Sequence, residues 1–133
     1  MVTFPLMSIG IAFLLIYLPR LAVMVGQARQ PEGFDNRHPR DQQARLTGWA
    51  RRAQAAHENG FESFPAYAAA VLVSHVAGAA HGEAMGVLAA VYLAARTLYP
   101  FVYMADLHWL RTLVWAAGFG ATIALFFLPL FID

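Results

Sequence analysis

Two groups of polar side chains stand inside otherwise apolar stretches of this 133-residue chain, and their spacing gives them chemical interest. The first lies between Arg51 and Pro65. At ~100° per residue, Arg51, Ala55, Glu58 and Glu62 fall on one helical stripe, with Asn59 about 60° to the side and His57 on the far face. The second comprises Tyr92, Arg96, Tyr99 and Tyr103, whose spacings of 4, 3 and 4 again share one face. Arg111 follows fifteen residues after Arg96. Ionisable groups within membrane spans are costly to place and mark candidate functional sites. A carboxylate stripe facing an arginine–tyrosine stripe balances charge in a low dielectric and can cradle a small zwitterion. Glu62 would take an ammonium, and Arg96 and Arg111 would take carboxylates or a thiolate. Spacing alone leaves open a second reading, in which Glu62 and Arg96 form an internal ion pair that only joins helices. Such pairs add little net stability against an apolar replacement, which tilts the balance towards binding.

The elements that must position these groups follow from composition. Apolar residues make up 59% of the chain and charged residues only 13%, with a mean hydropathy of +0.52, whereas soluble domains carry about 45–50% and ~25%. That excludes an ordinary water-soluble fold. A net charge of +1 gives no electrostatic footprint for nucleic acid, and the absence of cysteine excludes disulfides and thiolate chemistry from the protein itself. Hydrophobic runs predict an all-α integral membrane bundle of four helices, over about 4–25, 42–77, 83–104 and 108–131, forming a single domain. The opening run lacks a basic leader and is longer than a signal-peptide core, so it reads as a retained helix. Residues 27–45 read as a long polar loop with a helix starting near 39–42, where Pro39 suits a first turn. Pro65 should bend the second span by freeing the carbonyl of Phe61, and Pro100 should bend the third. Tight turns are expected at Gly78–Glu83 and Ala105–His108.

Arginines gather on one side. Arg29, Arg37, Arg40, Arg45, Arg51 and Arg52 surround the first loop, and Arg111 follows the third. The positive-inside rule then places both loops in the cytoplasm and both termini outside, in the inner membrane if the cell is bacterial. Other polar residues have plainer readings. His57 is expected to hydrogen-bond between helices, and the remaining histidines show no metal-ligand spacing. Arg20 is expected to snorkel. Gly78, Gly82 and Gly86 read as turn and helix-entry residues, Trp49 and Trp109 as interfacial anchors, and Phe126, Phe127 and Phe131 as lipid-facing.

The run AAHENGFESFP at 55–65, followed by RTLYPFVY at 96–103, resembles the MAPEG family, the membrane-associated proteins in eicosanoid and glutathione metabolism. DNRHPR at 35–40 looks like the first loop of its bacterial branch, and the resemblance spans the whole chain. It implies a homotrimer of four-helix bundles with glutathione held between subunits and a lipophilic second substrate arriving from the bilayer. Asn59, Glu62, Arg96, Tyr99 and Tyr103 then correspond to glutathione contacts, and Arg111 to an arginine that stabilises the thiolate. One position departs from the pattern. Ala55 stands where the family's glutathione users commonly carry an arginine, and Arg51, one turn earlier, is the expected substitute. The resemblance thus implies a glutathione or related thiol transferase or peroxidase. The alternative is a non-catalytic lipid-binding or scaffolding member, which the family also contains.

Overall fold

Proline decides the shape of the first apolar run. In a computed structural model of the chain, which describes residues 3–79 and 83–131, helix α1 (Phe4–Ile16) starts with Pro5 in its first turn. There the missing N–H costs nothing. It is broken at Tyr17 and resumes as α2 (Leu18–Ala28). Pro19 has no N–H for the carbonyl of Leu15, and the chain tightens around it. Tyr17 N–H donates to Leu14 O at 3.0 Å and Arg20 N–H to Tyr17 O at 3.1 Å. The expected unbroken helix over 4–25 is therefore two helices joined by a kink. With Arg20 N–H turned to Tyr17, the carbonyl of Ile16 is left for a side chain, and His57 Nδ1 donates to it at 2.7 Å. His57 is the interhelical tie its position on the far face implied.

The polar segment after α2 is a built loop. Gln27 and Gln42 are fully buried. Gln42 Oε1 accepts from Gln27 Nε2 at 3.1 Å and from Asp35 N–H at 3.0 Å, while its Nε2 donates to Gly33 O. Asp35 Oδ1 in turn accepts from the N–H groups of Arg37 and His38, at 2.8 and 3.1 Å. Those amides, His38's above all, hold the Asp35 carboxyl below its usual range. Helix α3 (Pro39–Ala44) follows, with Pro39 in its first turn. The helix then stops. The stretch 42–77 is not one helix, because α4 (Gly48–Val76) begins anew after Arg45–Thr47, at a glycine with φ +58°.

Helix α4 is 29 residues long, about 44 Å at 1.5 Å per residue, and runs on through Pro65. Its buried stripe is mostly small: Ala50, Ala53, Ala56, Gly60 and Ala70. Small residues let helices approach closely. A Cβ placed on Gly26 of α2 would lie 2.5 Å from the Cβ of Ala50, and one on Gly60 would lie 3.2 Å from the Ile16 side chain. Both atoms of the Gly26 clash are fixed to backbone, so neither can rotate away. Gly26→Ala is expected to destabilise the protein by about 1–3 kcal/mol, measured as a lowered denaturation midpoint in detergent. Gly10→Ala, which meets nothing within 4 Å, serves as the control and is expected to leave the midpoint unchanged or raise it slightly.

Helices α5 (Glu83–Met104) and α6 (His108–Phe127, extended by a 3-10 turn to Phe131) complete the bundle. They are joined by a turn in which Asp106 has φ +62°. Arg52 donates from Nε and Nη2 to the Met104 carbonyl, both at 3.1 Å. It thereby caps the C-terminus of α5 with a cation and pins α4 beside it. In the core, the rings of Tyr67 and Tyr92 stack 3.6 Å apart and parallel within 1°. Their hydroxyls pair with Ser8 and, at 2.8 Å, with Ser63. Tyr92 shares the arginine–tyrosine spacing but is a core residue. The Gly78–Glu83 connection is described only as far as Ala79. Gly78 has φ +95°, as a turn residue would, and Gly82 lies outside the described residues.

Three helical stretches are long and apolar enough to cross a membrane: Phe4–Ala28, Glu83–Met104 and His108–Phe131. Helix α4 has the length, but Arg51, Arg52, Glu58 and Glu62 interrupt its first half. Large apolar side chains such as Leu14, Leu21, Val76, Trp109, Leu113 and Leu130 are exposed along the bundle. A soluble protein does not tolerate so broad an apolar surface. The all-helical chain is an integral membrane protein.

Candidate functional site

Position and polarity make Asn59 a relay between opposite charges. It lies on α4, three residues before Glu62, so both project from the same side of the helix. Its Nδ2 donates to Glu62 Oε2 at 3.1 Å, and its Oδ1 accepts from Arg96 Nη1 at 3.0 Å. The arrangement differs from a plain ion pair: no N···O distance between Glu62 and Arg96 falls within 4 Å, and the amide stands between them. Arg96 comes from α5, opposite this part of α4, and is half-buried, whereas Glu62 is exposed. The carboxylate is therefore held by one amide only and keeps acceptor capacity for a ligand.

These groups form one wall of a cleft of about 190 Å³ between α4, α5 and α6. The other wall is supplied by Trp115, Gly118 and Phe119 of α6. Trp115 and Phe119 stack with centroids 5.0 Å apart and planes within 8°, the natural outcome of an i, i+4 aromatic pair. A charged anchor thus faces an apolar slot. No charge or polarity in the sequence marks this aromatic pair as part of a site. Its spacing was visible, but nothing in the sequence said that this face of α6 turns towards Asn59 and Glu62.

The polar chain continues from Arg96 along α5. Its guanidinium lies over the Tyr99 ring at 4.7 Å, and Tyr99 meets Tyr103 edge to face at 5.6 Å. Arg111, from the first turn of α6, lies over the Tyr103 ring at 4.5 Å. Cation–π contacts of this kind orient a guanidinium without using up its hydrogen-bond donors. Glu62, Asn59, Arg96, Tyr99, Tyr103 and Arg111 are therefore brought into one continuous string. Of these, Tyr99, Tyr103 and Arg111 lie outside the cleft itself and extend the string beyond it.

Arg51 is placed elsewhere. It is 3.7 Å from Glu58 and lines a separate groove with Arg40 and Gln54. Eleven residues of helix, about 16 Å, separate it from Glu62, more than an arginine side chain spans. Within one protomer it does not replace the arginine that Ala55 lacks. Among the described residues no three His, Asp or Glu side chains gather as a metal site would require.

The chain matches no curated protein and no solved structure. The MAPEG family model, by contrast, matches residues 4–131, from the first residue of α1 to the last described turn. With nearly its whole length matched and its helices suited to a bilayer, the chain belongs to the MAPEG family, membrane proteins of glutathione and eicosanoid metabolism.

Proposed function

We propose that this protein is a membrane-bound transferase or peroxidase that activates glutathione, or a related thiol, against lipophilic electrophiles. The observation that carries this reading is the Arg96–Asn59–Glu62 relay on the wall of a cleft whose opposite wall is aromatic. Glutathione presents an ammonium and carboxylates at one end and a thiol in the middle. Glu62 takes the ammonium, Arg96 takes a carboxylate, and Tyr99 and Tyr103 hold the guanidiniums in register. The electrophile lies against Trp115 and Phe119.

A free thiol of pKa about 8.5 is mostly protonated at neutral pH, and a fixed cation nearby shifts it towards thiolate. Arg111 is assigned that role. The thiol proton leaves to solvent, the sulfur attacks the electrophilic carbon, and a C–S bond forms as the leaving group departs with the bonding electrons. The exposed Glu62 also argues for assembly, since a carboxylate at membrane depth faces protein or water in preference to lipid. A homotrimer of four-span bundles, with the Glu62 stretch of α4 covered by an adjoining subunit and the site between them, meets that need. The first loop then faces the cytoplasm with both termini outside.

The test is detergent-solubilised protein assayed with glutathione and an activated aryl chloride. Saturable, glutathione-dependent conjugate formation is expected, together with a glutathione-dependent rise in thermal midpoint. The absence of both turnover and a shift would overturn the reading. A shift without turnover would instead make the chain a non-catalytic thiol or lipid binder.

A further inference from the structure

The groove that takes Arg51 away from the thiol cleft has its own chemistry. It lies between α3 and α4 and is lined by Arg40 and Gln43 from α3 and by Arg51, Gln54 and Glu58 from α4. Two cations and one carboxylate face a common space of about 360 Å³. Gln54 is the telling residue. It is only 5% exposed, its Nε2 donates to Glu58 Oε1 at 3.0 Å, and its Oε1 is buried with no partner. Turning the amide over would set its carbonyl against the Glu58 carboxylate, so chemistry fixes its orientation. A buried acceptor left unpaired is costly; the amide accepts that cost and holds Glu58 at the groove wall. Glu58 Oε1 also receives Arg51 at 3.7 Å, which leaves Oε2 without a partner among the described residues. Arg40 gives Nη1 to Gln43 Oε1 at 3.2 Å and keeps other donors.

Depth supplies the second argument. Arg52, adjacent to Arg51, is bonded to the Met104 carbonyl, so this part of α4 is level with the end of the membrane-crossing helix α5. The groove therefore sits where headgroups lie, with Trp49 beside Arg29 at the same end of α4.

We propose that this groove binds the headgroup of an aminophospholipid, its phosphate on Arg40 and Arg51 and its primary ammonium on the Glu58 carboxylate that Gln54 holds in place. The pattern selects this headgroup over its neighbours. A glycerol headgroup brings hydroxyl donors but no positive charge for Glu58. A choline headgroup brings the charge but no N–H for the free Oε2 of Glu58. Only a primary ammonium supplies both, while guanidiniums hold phosphate in bidentate fashion.

The experiment titrates delipidated, detergent-held protein with short-chain phosphatidylethanolamine, phosphatidylcholine and phosphatidylglycerol, and with soluble phosphoethanolamine, following thermal midpoint. The ethanolamine lipid is expected to bind about tenfold more tightly than either other lipid, the size of one charged hydrogen bond, and more tightly than the soluble headgroup. Gln54→Leu and Glu58→Gln are each expected to abolish the preference over choline and glycerol. If Gln54→Leu does not fold, Glu58→Gln decides. Equal binding of the three lipids, a stronger response to phosphatidylglycerol, or a preference that survives Glu58→Gln would overturn the proposal. Soluble phosphoethanolamine binding as tightly as the lipid would overturn its assignment to the bilayer. Glutathione turnover does not enter these readouts, so this result stands apart from that of the thiol assay.

Discussion

Replacing Arg96 with leucine is expected to lower glutathione-dependent turnover at subsaturating glutathione by about 100-fold or more. The guanidinium is held in place before any ligand arrives: Asn59 Oδ1 fixes it at 3.0 Å and the Tyr99 ring supports it from one face at 4.7 Å. Little ordering remains to be done on binding, so most of the interaction with a carboxylate appears as affinity. Leucine removes that cation, leaves Asn59 Oδ1 without its donor, and leaves Glu62 as an uncompensated charge at membrane depth. Truncating one member of a hydrogen-bonded charge pair costs about 2–5 kcal/mol, which spans roughly 30-fold to several thousandfold in affinity. The loss should fall mainly on the glutathione concentration needed for half-saturation. Arg96→Lys should recover only part of it, since an ammonium keeps the charge but cannot bridge Asn59 and a carboxylate while stacking on Tyr99. Asn59→Ala, made from the other helix, should repeat the effect in weaker form. Turnover unchanged in Arg96→Leu would remove the relay from the thiol site.

The residues of that relay were legible because they obey two helical periods. Asn59 with Glu62, and Arg96 with Tyr99 and Tyr103, are each set by i, i+3 or i, i+4 spacing, and charge in an apolar segment made them conspicuous. What the sequence did not carry was the mutual rotation of three helices. Two residues on one stripe, Arg51 and Glu62, end in different grooves because axial distance separates what angular position unites. Trp115 and Phe119 read as ordinary apolar residues, and only the packing of α6 on α4 and α5 gives them a polar wall to face.

The backbone breaks have a similar explanation. The hydropathy of the first span is continuous across Pro19, and one unbroken helix is the natural reading. The break became specific only through a tertiary partner, His57, which takes the carbonyl of Ile16. Nor did the stop after Ala44 leave a hydropathy signature. The chain turns there because Gln42, bonded to Gln27, Gly33 and Asp35, fastens α3 to the loop, and α4 must start afresh to pack on α2. Long-range hydrogen bonds of this sort have no local pattern to read. Membrane character, in contrast, is a sum over composition and was plain from the start.

Arg111→Ala is expected to act on the thiol and not on the anchor. Arg111 rests on the Tyr103 ring at 4.5 Å, at the far end of the polar string from Glu62. Its loss leaves Asn59, Glu62 and Arg96 in place, so glutathione affinity should change little. The effect falls on ionisation. A nearby cation lowers the pKa of a bound thiol, and removing it lets that pKa rise towards the free value near 8.5. At pH 7 a thiol of that pKa is only about 3% thiolate, so turnover should fall by about 30-fold. It should recover as pH rises through 8.5, because the lost quantity is thiolate fraction and hydroxide restores it. The ultraviolet absorbance of the bound thiolate should shift to the same higher pH, a signature that a merely structural arginine would not produce. A pH profile unchanged in Arg111→Ala would assign the arginine to the packing of α6 on Tyr103 alone. The thiolate would then need another cation, and Arg96, already within the cleft, is the one positioned to serve.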